Sequence, residues 1–473
     1  MIDRVRESRN PKKVIRVSLM ESYGEIGRVP VNLCKKVEYI CLEKCGTVEM
    51  TGNKKNIYGG KRAMTLREDA DFIIKEAIHH VLPDGAVRKA LEGKSFGQGR
   101  LYLVAAGKAA WQMAKTAGML LGDRLEKGVV ITKYDHVMGE LPRISCYEAG
   151  HPVPDENSFR ATQAALDLVM DLQAEDTVLF LLSGGGSALF EKPLISGEEL
   201  ADVTKQLLAC GADIVEMNTI RKRLSAVKGG RFAKLCKPAK VYSIVLSDIL
   251  GDPLDMIASG PAYPDTSTCE QATAIAEKYH LKLSEQATGL LRQETPKILN
   301  NVTTEITGSV RNLCQAAKEA CESLGYEAVI LTDQLDCVAR EAGAFLGDIA
   351  KTNQITKKSL AFIAGGETVV HLTGSGLGGR NQELALAAAE KISGLKDVVV
   401  FSIGSDGTDG PTDAAGGFVD GETKKKLADA GYRIEQVLDE NDSYHALEKC
   451  DGLIKTGATG TNVNDVAVVL IRR

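Results

Sequence analysis

The stretch Thr177–Ala188, TVLFLLSGGGSA, joins an almost wholly apolar run to a glycine-rich loop. The apolar run, Thr177–Leu182, is typical of a strand buried on both faces of a parallel sheet. Consecutive glycines after a strand are costly in conformational entropy, and they are justified where backbone amides face an anion. We therefore predict a phosphate- or nucleotide-binding loop rather than a merely flexible turn, although the Gly-Lys-[Ser/Thr] ending of a Walker A loop is absent. The loop consists of Ser183, Gly184, Gly185, Gly186 and Ser187.

Short apolar runs alternate with helical stretches on both sides of that loop. Segments such as Trp111–Leu121 and Phe159–Leu172 carry apolar residues at three- and four-residue steps, which indicates amphipathic helices. Strands that alternate with helices are typical of parallel βαβ units. We therefore predict an α/β fold with a Rossmann-like, doubly wound N-terminal domain. Its other strands are predicted at Leu101–Ala106, Gly128–Ile131, Val241–Ser247 and Tyr326–Thr332.

A polar run, KTNQITKK at Lys351–Lys358, has no apolar periodicity and indicates a break between domains. We accordingly predict that the first domain spans residues 64–350 and that a smaller α/β domain spans residues 359–473. The strands of this second domain are predicted at Ala361–Ile363, Val369–Leu372, Val398–Ile403 and Val466–Ile471.

Residues 1–63 differ from the rest in charge, since they hold 14 Lys and Arg against 7 Asp and Glu. A helical pattern opens only afterwards, with Thr65 suited to cap it and Ile73, Ile74 and Ile78 at helical spacing. We interpret residues 1–63 as a basic N-terminal appendage that is dispensable for the fold. A basic arm that binds an acidic partner is the alternative.

Composition excludes several classes of protein. The chain has 473 residues, of which 44% are hydrophobic and 26% charged, so disorder is excluded for most of it. A net charge of -5 gives no reason to expect nucleic acid as a partner. No apolar run approaches the roughly 18 residues that cross a membrane, and no signal-peptide core opens the chain. Eleven cysteines without a CxxC pair favour a reducing cytoplasm. Whether the protein forms a homo-oligomer stays open.

Lys108 follows a predicted strand and the turn residue Gly107, at the opening of a helix. A helix start offers free N–H groups and a partial positive charge, to which the lysine adds a full one. We predict that Lys108 is a catalytic residue that binds an anionic group. A tight turn with a surface lysine is the alternative. The segment Ala105–Ala110 only loosely resembles a dinucleotide fingerprint, because alanines replace its first and last glycines.

Aspartates follow predicted strands in both domains. Asp248 and Asp252 follow Val241–Ser247, whereas Asp406 and Asp409 follow Val398–Ile403 or lie close behind it. Mg²⁺ prefers a carboxylate or two, completed by water and phosphate oxygens. We therefore treat all four as substrate or metal candidates. Mg²⁺ is expected on a subset of Asp248, Asp252 and Asp406, while a turn-capping role is expected for at least one of Asp248, Asp252 and Asp255.

Arg380 stands in a glycine-rich turn, just before a helix predicted from about Gln382. Its planar guanidinium can hold a carboxylate or phosphate through two hydrogen bonds. We predict that Arg380 is the second catalytic residue. The alternative is an arginine that only caps its own turn.

Eight motifs, in order along the chain, together resemble a known family, the glycerate 2-kinases with a C-terminal MOFRL domain. The resemblance runs from about residue 66 to the C-terminus. It implies transfer of the γ-phosphoryl group of ATP, with Mg²⁺, to the 2-hydroxyl of D-glycerate, in a cleft between two domains. Members of this family are often mislabelled hydroxypyruvate reductase. The motifs are VAAGKAA, GHPVPDENS, LLSGGGSALFEKP, MNTIRKRLSAVKGGR, LSDILGDPLDMIASGP, GGETVV, GGRNQELALA and SIGSDGTDGPTDAAG.

Two other functions compete with a kinase. An NAD(P)H-dependent hydroxypyruvate reductase needs an intact dinucleotide fingerprint and a proton donor. His151, in the loop-like GHPVP, is the best-placed histidine, and a structural role is favoured for it. A non-catalytic sensor of sugar phosphates has no need of metal-suited aspartates beside two phosphate-suited loops. A small-molecule kinase is therefore the preferred function.

Overall fold

The computed structural model describes residues 64–251 and 253–473. The predicted N-terminal appendage, residues 1–63, and the metal candidate Asp252 lie outside these described residues. Within them, no helix has both the length and the apolar character needed to cross a membrane.

The first sheet is wholly parallel. Its strands are β1 (Leu101–Ala106), β2 (Leu125–Lys133), β3 (Ile144–Ala149), β4 (Thr177–Leu182), β5 (Lys240–Leu246) and β6 (Val302–Gly308). They lie in the order β3-β2-β1-β4-β5-β6. This is the order of dinucleotide-binding folds, in which the direction of winding reverses between β1 and β4. The predicted Rossmann-like fold is confirmed.

The second sheet is mixed. Its strands are β7 (Glu327–Leu335), β8 (Leu360–Gly366), β9 (Val398–Gly404), β10 (Gly416–Asp420), β11 (Leu453–Ile454) and β12 (Asp465–Ile471). They lie in the order β11-β10-β9-β12-β8-β7. Only β7 and β8 pair in parallel, while β12 runs antiparallel between β8 and β9.

Helices cover both faces of each sheet. They are α1 (Leu66–His80), α2 (Pro83–Leu91), α3 (Ala110–Leu121), α4 (Glu156–Leu168), α5 (Gly186–Leu189), α6 (Gly197–Ala209), α7 (Ile214–Leu224), α8 (Arg231–Leu235), α9 (Cys269–Lys278), α10 (Glu285–Leu291), α11 (Val310–Ser323), α12 (Ala339–Thr352), α13 (Arg380–Ile392), α14 (Thr423–Asp429), α15 (Ile434–Asp439) and α16 (Ser443–Lys449). In the first sheet, α2 and α3 pack on one face and α4, α5 and α8 on the other. In the second, α1 and α11 face α12 and α13 across the strands.

The domain boundary predicted at residue 350 does not coincide with the observed division between the two sheets. The predicted strand Tyr326–Thr332 corresponds to β7, which pairs with β8 in the second sheet and not with the first. The polar run Lys351–Lys358 covers the end of α12 and the link to β8, so it marks a parallel crossover rather than a break between domains. By pairing and packing, the first half of the molecule spans residues 83–308, and the second spans residues 64–82 and 309–473.

Helix α1 belongs to the second half although it comes first in the described chain. Thr65 and Glu68 form a capping box at its start, as the sequence pattern suggested for Thr65. Its apolar face packs against α11 and the second sheet. Tyr326 Oη donates to Asp69 Oδ2 at 2.6 Å, and Arg67 Nη2 donates to Leu453 O at 3.0 Å.

The predicted strand Val369–Leu372 is wrong. Only Val369 makes an isolated bridge, to Val338. Val369 and Leu372 are 48% and 82% exposed, so the two ends of this run bury too little apolar surface to hold it in a sheet.

Candidate active site

The loops after β1 and β4 meet where the strand order of the first sheet reverses. Ligands of open α/β sheets bind beyond the carboxyl ends of the strands at this point. The two loops are joined by hydrogen bonds from Lys108 N to Gly184 O, 2.8 Å, and from Ala109 N to Ser183 Oγ, 3.1 Å. The two anion-binding loops predicted from the sequence therefore form one structure.

Gly107 allows this close approach. Its φ is 126°, and a Cβ there would lie 2.2 Å from Ser183 Oγ. Within the described residues, the N–H groups of Gly184 and Gly185 have no hydrogen-bond partner. Beside them stands the half-buried Lys108, so two free amides and an ammonium group are available to an anion.

Each of the three glycines packs closely against a different neighbour. A Cβ at Gly184 would lie 2.1 Å from Asp248 Oδ2, and one at Gly186 would lie 2.7 Å from Ala258 Cβ. A Cβ at Gly185 would lie 3.0 Å from Cδ2 of His151 and 3.2 Å from Cγ of Lys108. The glycines therefore let three surrounding elements reach the loop.

The two serines of the loop are held from within the protein. Ser183 Oγ accepts the Ala109 amide, as described above. Ser187 Oγ lies 3.1 Å from Ser259 Oγ, which donates to Asn218 Oδ1 at 2.8 Å. Ser259 has φ 61°, a strained value for a residue other than glycine. The serines thus fix the shape of the loop, in addition to any contact with a ligand.

Asp248 follows β5 and lies against the glycine loop. Burial raises the pKa of its carboxyl, while the positive charge of Lys108 counteracts this and the negative charge of Glu367 adds to it. Glu367 follows β8 of the second sheet. Asp248 is therefore within electrostatic reach of groups from both halves of the molecule. A carboxylate beside a phosphate loop has the chemistry of a Mg²⁺ ligand, because that ion needs one or two carboxylates and takes its other ligands from water and phosphate.

Arg380 is the first residue of α13 and is gripped by two carboxylates. Its Nε and Nη2 donate to the two oxygens of Asp465, at 2.5 and 3.1 Å, and its Nη1 donates to Glu367 at 3.0 Å. Three of its five N–H groups are used in this way. The guanidinium is thus held inside its own half, with one N–H left on each terminal nitrogen.

Asp465 and Glu367 were not predicted as site residues. Asp465 begins β12 and pairs with Gly366 at the end of β8 and Gly404 at the end of β9. Because β12 is antiparallel to both neighbours, its first residue lies at the edge where theirs end. In the sequence Asp465 stands at the start of its strand, whereas predicted site residues such as Lys108 follow theirs.

The other predicted aspartates occupy different environments. Asp409 accepts from the amides of Asn381 and Gln382 at 3.1 and 2.9 Å, so both its oxygens hold the start of α13. Burial raises the pKa of this carboxyl, against the effect of these donors. Asp406 is half-buried and accepts from Thr408 N at 3.0 Å. Asp409 thus holds the start of α13, and Asp406 stays a metal or substrate candidate.

Clusters of three metal-suited side chains occur elsewhere among the described residues. They are Glu76, His79 and His80 on α1, and Cys269, Glu270 and Glu294 near α9. Neither cluster includes Asp248 or Asp406.

Two protein families match successive parts of the chain. A family described as "Domain of unknown function (DUF4147)" matches residues 69–292, and the MOFRL family matches residues 360–465. The chain is 52% identical to the D-glycerate 2-kinase of Thermotoga maritima, over 86% of this chain and 99% of that protein. It is 41% identical to the glycerate 2-kinase of Pyrococcus horikoshii, over 86% and 98%.

Solved structures agree with these relatives. The crystal structure of the Thermotoga maritima glycerate kinase superposes with a TM-score of 0.84 at 53% identity, covering 86% of this chain and 99% of that one. The protein is thus a two-domain α/β kinase. More particularly, the chain belongs to the glycerate 2-kinase family. A relative from Agrobacterium vitis, 37% identical over 79% of this chain and 88% of its own length, is named putative hydroxypyruvate reductase, the mislabelling expected from the sequence. The prediction of a kinase is confirmed.

Proposed function

We propose that this protein transfers the γ-phosphoryl group of Mg²⁺-ATP to the 2-hydroxyl of D-glycerate and releases 2-phosphoglycerate. One observation carries the proposal: Lys108 stands beside the amides of Gly184 and Gly185, which have no partner among the described residues, at the point where the strand order reverses. Phosphoryl transfer requires little covalent chemistry from the protein, and it requires donors and positive charge around the moving group.

Lys108 is the residue proposed to stabilise the transferring phosphoryl group. It projects from the turn that Gly107 forms, and within the described residues it makes no ion pair with a carboxylate within 4.0 Å. Its charge is therefore available to the equatorial oxygens of the phosphate. The loop amides supply further donors that need no reorganisation when negative charge develops.

Asp248 fits a magnesium ion that arrives with the nucleotide. Its carboxylate faces the glycine loop and has no cationic hydrogen-bond partner among the described residues. Asp248 would help to hold the ion, which would supply positive charge against the phosphates when bound. Asp406 is proposed as a further candidate from the second sheet.

Arg380 is proposed to bind the substrate through its two remaining N–H groups. Asp465 and Glu367 fix the plane of the guanidinium, so these donors have a defined direction. A carboxylate, such as that of glycerate, or a phosphate oxygen suits this pair. Closure of the two halves around substrate would exclude the water that competes with the acceptor hydroxyl.

A reducing cytoplasmic compartment is part of the proposal. The cysteines in the described part of the chain are all free thiols: Cys146, Cys210, Cys236, Cys269, Cys314, Cys321, Cys337 and Cys450. Free thiols are typical of proteins that work where disulfides are kept reduced.

The test is an assay of the purified full chain with D-glycerate and Mg²⁺-ATP, with the phosphorylated product identified by phosphorus NMR. We expect 2-phosphoglycerate from D-glycerate and little turnover of the L-enantiomer. A parallel assay follows NADH and NADPH oxidation with hydroxypyruvate. Formation of 3-phosphoglycerate would refute the proposed position of attack, and turnover in the reductase assay alone would refute the proposed reaction.

A further inference from the structure

His151 reaches the glycine loop from a distant strand. It follows β3, which lies three positions from β4 in the sheet, or about 14 Å at the usual ~4.8 Å spacing of strands. Nevertheless, a Cβ at Gly185 would lie 3.1 Å from Nε2 of His151 and 3.2 Å from Cγ of Lys108. The imidazole therefore lies over the ends of the intervening strands and flanks Gly185 together with the proposed catalytic lysine.

The edge of the ring that carries Nε2 faces the loop. Within the described residues, neither ring nitrogen of His151 has a hydrogen-bond partner, in contrast to His136, whose Nδ1 lies 3.2 Å from Tyr134 O. A structural histidine in a loop is ordinarily held by such a bond. The half-buried His151 has instead a nitrogen available to a ligand.

The charged groups that face His151 come from neighbouring elements. Lys108 follows β1 and Lys133 ends β2, and the positive charges of both disfavour protonation of the imidazole. On its own segment, Asp155 accepts from Tyr134 and from the amide of Ser158 at the start of α4. Asp248 lies against Gly184, the next residue of the glycine loop. Burial and the two lysines together favour the neutral form of the ring.

We propose that His151 is a catalytic residue that accepts the proton of the acceptor hydroxyl at Nε2. This inference rests on the proposed function. The O–H bond of the substrate breaks and its proton goes to Nε2, while the oxygen forms a bond to the γ-phosphorus. The bond between that phosphorus and the β–γ bridging oxygen breaks, and its electron pair leaves on ADP. The histidine later returns the proton to water.

Protonation chemistry agrees with this role. Burial lowers the pKa of His151, and the charges of Lys108 and Lys133 lower it further. In the free protein the imidazole is therefore unprotonated at neutral pH and can accept a proton. The anionic phosphates and carboxylate of the substrates counteract the two lysines when bound, which brings the pKa back towards the working pH where a general base is most effective.

The first experiment compares His151→Gln with His136→Gln, a control histidine after the neighbouring strand. We expect kcat of His151→Gln to fall about 10²-fold or more, the usual effect of losing a general base, with KM for ATP changed little. His136→Gln should keep the wild-type rate. A kcat of His151→Gln within threefold of wild type would overturn the inference while leaving the proposed kinase activity intact.

The pH profile separates proton transfer from mere packing. In the wild type, kcat/KM should fall as pH drops through the lowered pKa of His151, because the protonated ring cannot act as a base. The same pKa should appear in an NMR titration of the His151 ring. Two results would refute the role of His151 as a base. One is a fall of kcat/KM at low pH whose pKa differs from that of the NMR titration, and the other is a fall that persists unchanged in His151→Gln.

Rescue provides a readout that does not depend on the behaviour of one variant. We expect added imidazole to restore part of the activity of His151→Ala, and to leave Lys108→Ala inactive. Thermal unfolding of each variant checks its fold. Failure of imidazole to rescue a folded His151→Ala would contradict proton transfer, whereas an inactive wild type would instead contradict the proposed function.

Discussion

The molecule contains two arginine–aspartate pairs of similar geometry at opposite kinds of strand end. Arg100 and Asp176 precede β1 and β4, and Arg100 binds both carboxylate oxygens through Nη2 at 2.7 Å and Nε at 3.3 Å. Arg380 and Asp465 stand at the edge where β8 and β9 end. In both pairs the aspartate is nearly buried and the arginine is partly exposed.

The pKa values of the two carboxyls shift in opposite directions. The hydrogen bond from Arg100 lowers the pKa of Asp176, and the amides of Gln173 and Arg100 assist it. Burial raises the pKa of Asp465 to about 6, and neighbouring Asp409 adds to the shift despite Arg380. The first pair favours the ionised carboxylate and stabilises the fold. In the second pair, burial disfavours ionisation of the carboxyl, and perturbed pKa values of this kind are common at functional sites.

The largest effect is expected for Lys108→Ala, which removes the charge beside the loop. We expect kcat to fall about 10²-fold or more, as for the loss of one preorganised electrostatic contact, with the unfolding temperature unchanged. Steady-state kinetics and calorimetry measure the two quantities. Lys127→Ala, an exposed lysine on β2, is the control. Full activity in Lys108→Ala would exclude this residue from the mechanism.

The next prediction compares the two arginines directly. Arg380→Lys keeps the charge but loses the planar fork, and we expect kcat/KM to fall roughly 10- to 100-fold without loss of the fold. Arg100→Lys should affect only stability. If both variants turn over substrate like the wild type, Arg380 is as structural as Arg100, and the assignment of the two edges to different roles is wrong.

A smaller effect is expected for the two aspartates. Asp465→Asn should lower kcat/KM about tenfold, because Arg380 loses its bidentate partner. In the Arg380→Lys background the same change should cost less than about twofold, since residues that act together are not additive. Asp176→Asn should instead lower the unfolding temperature by about 2–4 °C and leave kinetics unchanged. Additive effects at Asp465 and Arg380 would show that they act independently.

The pH dependence of stability should have opposite signs at the two aspartates. Asp176 has a lowered pKa, so its stabilising contribution is present above the unfolded-state pKa and disappears as pH falls through the folded one. Asp465 has a raised pKa, so its contribution is lost as pH rises from about 4 to about 6. Wild type and the two Asp→Asn variants are compared by thermal unfolding from pH 2 to 8, which covers the windows of both aspartates. For each variant, the difference in unfolding temperature from wild type is plotted against pH. If the two differences change in the same direction with pH, the two pKa shifts are contradicted.

The smallest effect is expected for deletion of residues 1–63. Neither the strand pattern nor the family matches begin before residue 64, since the earlier match starts at residue 69. We expect kcat, KM and the unfolding temperature of the truncated chain to match the full one. Insolubility or inactivity of the truncated protein would show that the segment contributes to the fold or site.

The strands beside the loop were predicted most accurately. The bounds of β1 and β4 coincide with the predicted runs. Every residue of these central strands is buried, so the apolar run in the sequence extends over the whole strand. The strands β3 and β6 lie at the two edges of the sheet, have mixed exposure, and were not predicted. The partner of β7 could not be predicted either, because strand pairing is non-local.

The residues of the candidate site divide in the same way, into those that local sequence predicts and those that only the fold brings together. Lys108 and the glycine loop were found because their residue types lie next to one another in sequence and lie together in the structure. Asp465 is 85 residues from Arg380, and His151 is 34 residues from Gly185, so only the fold brings them together. Asp409 was predicted as a candidate from its position alone, and its contacts show that it holds a helix.

The packing of α1 has a consequence for biosynthesis. This helix leaves the ribosome before the whole first half, yet its apolar face is covered by α11, which is made more than 200 residues later. The first half can assemble as a continuous segment, whereas the second must wait for its own opening helix to be captured. Translation from the N-terminus therefore produces a stage in which Ile73, Ile74 and Ile78 lack the α11 surface that later covers them, and chaperones that bind apolar segments are suited to protect these side chains.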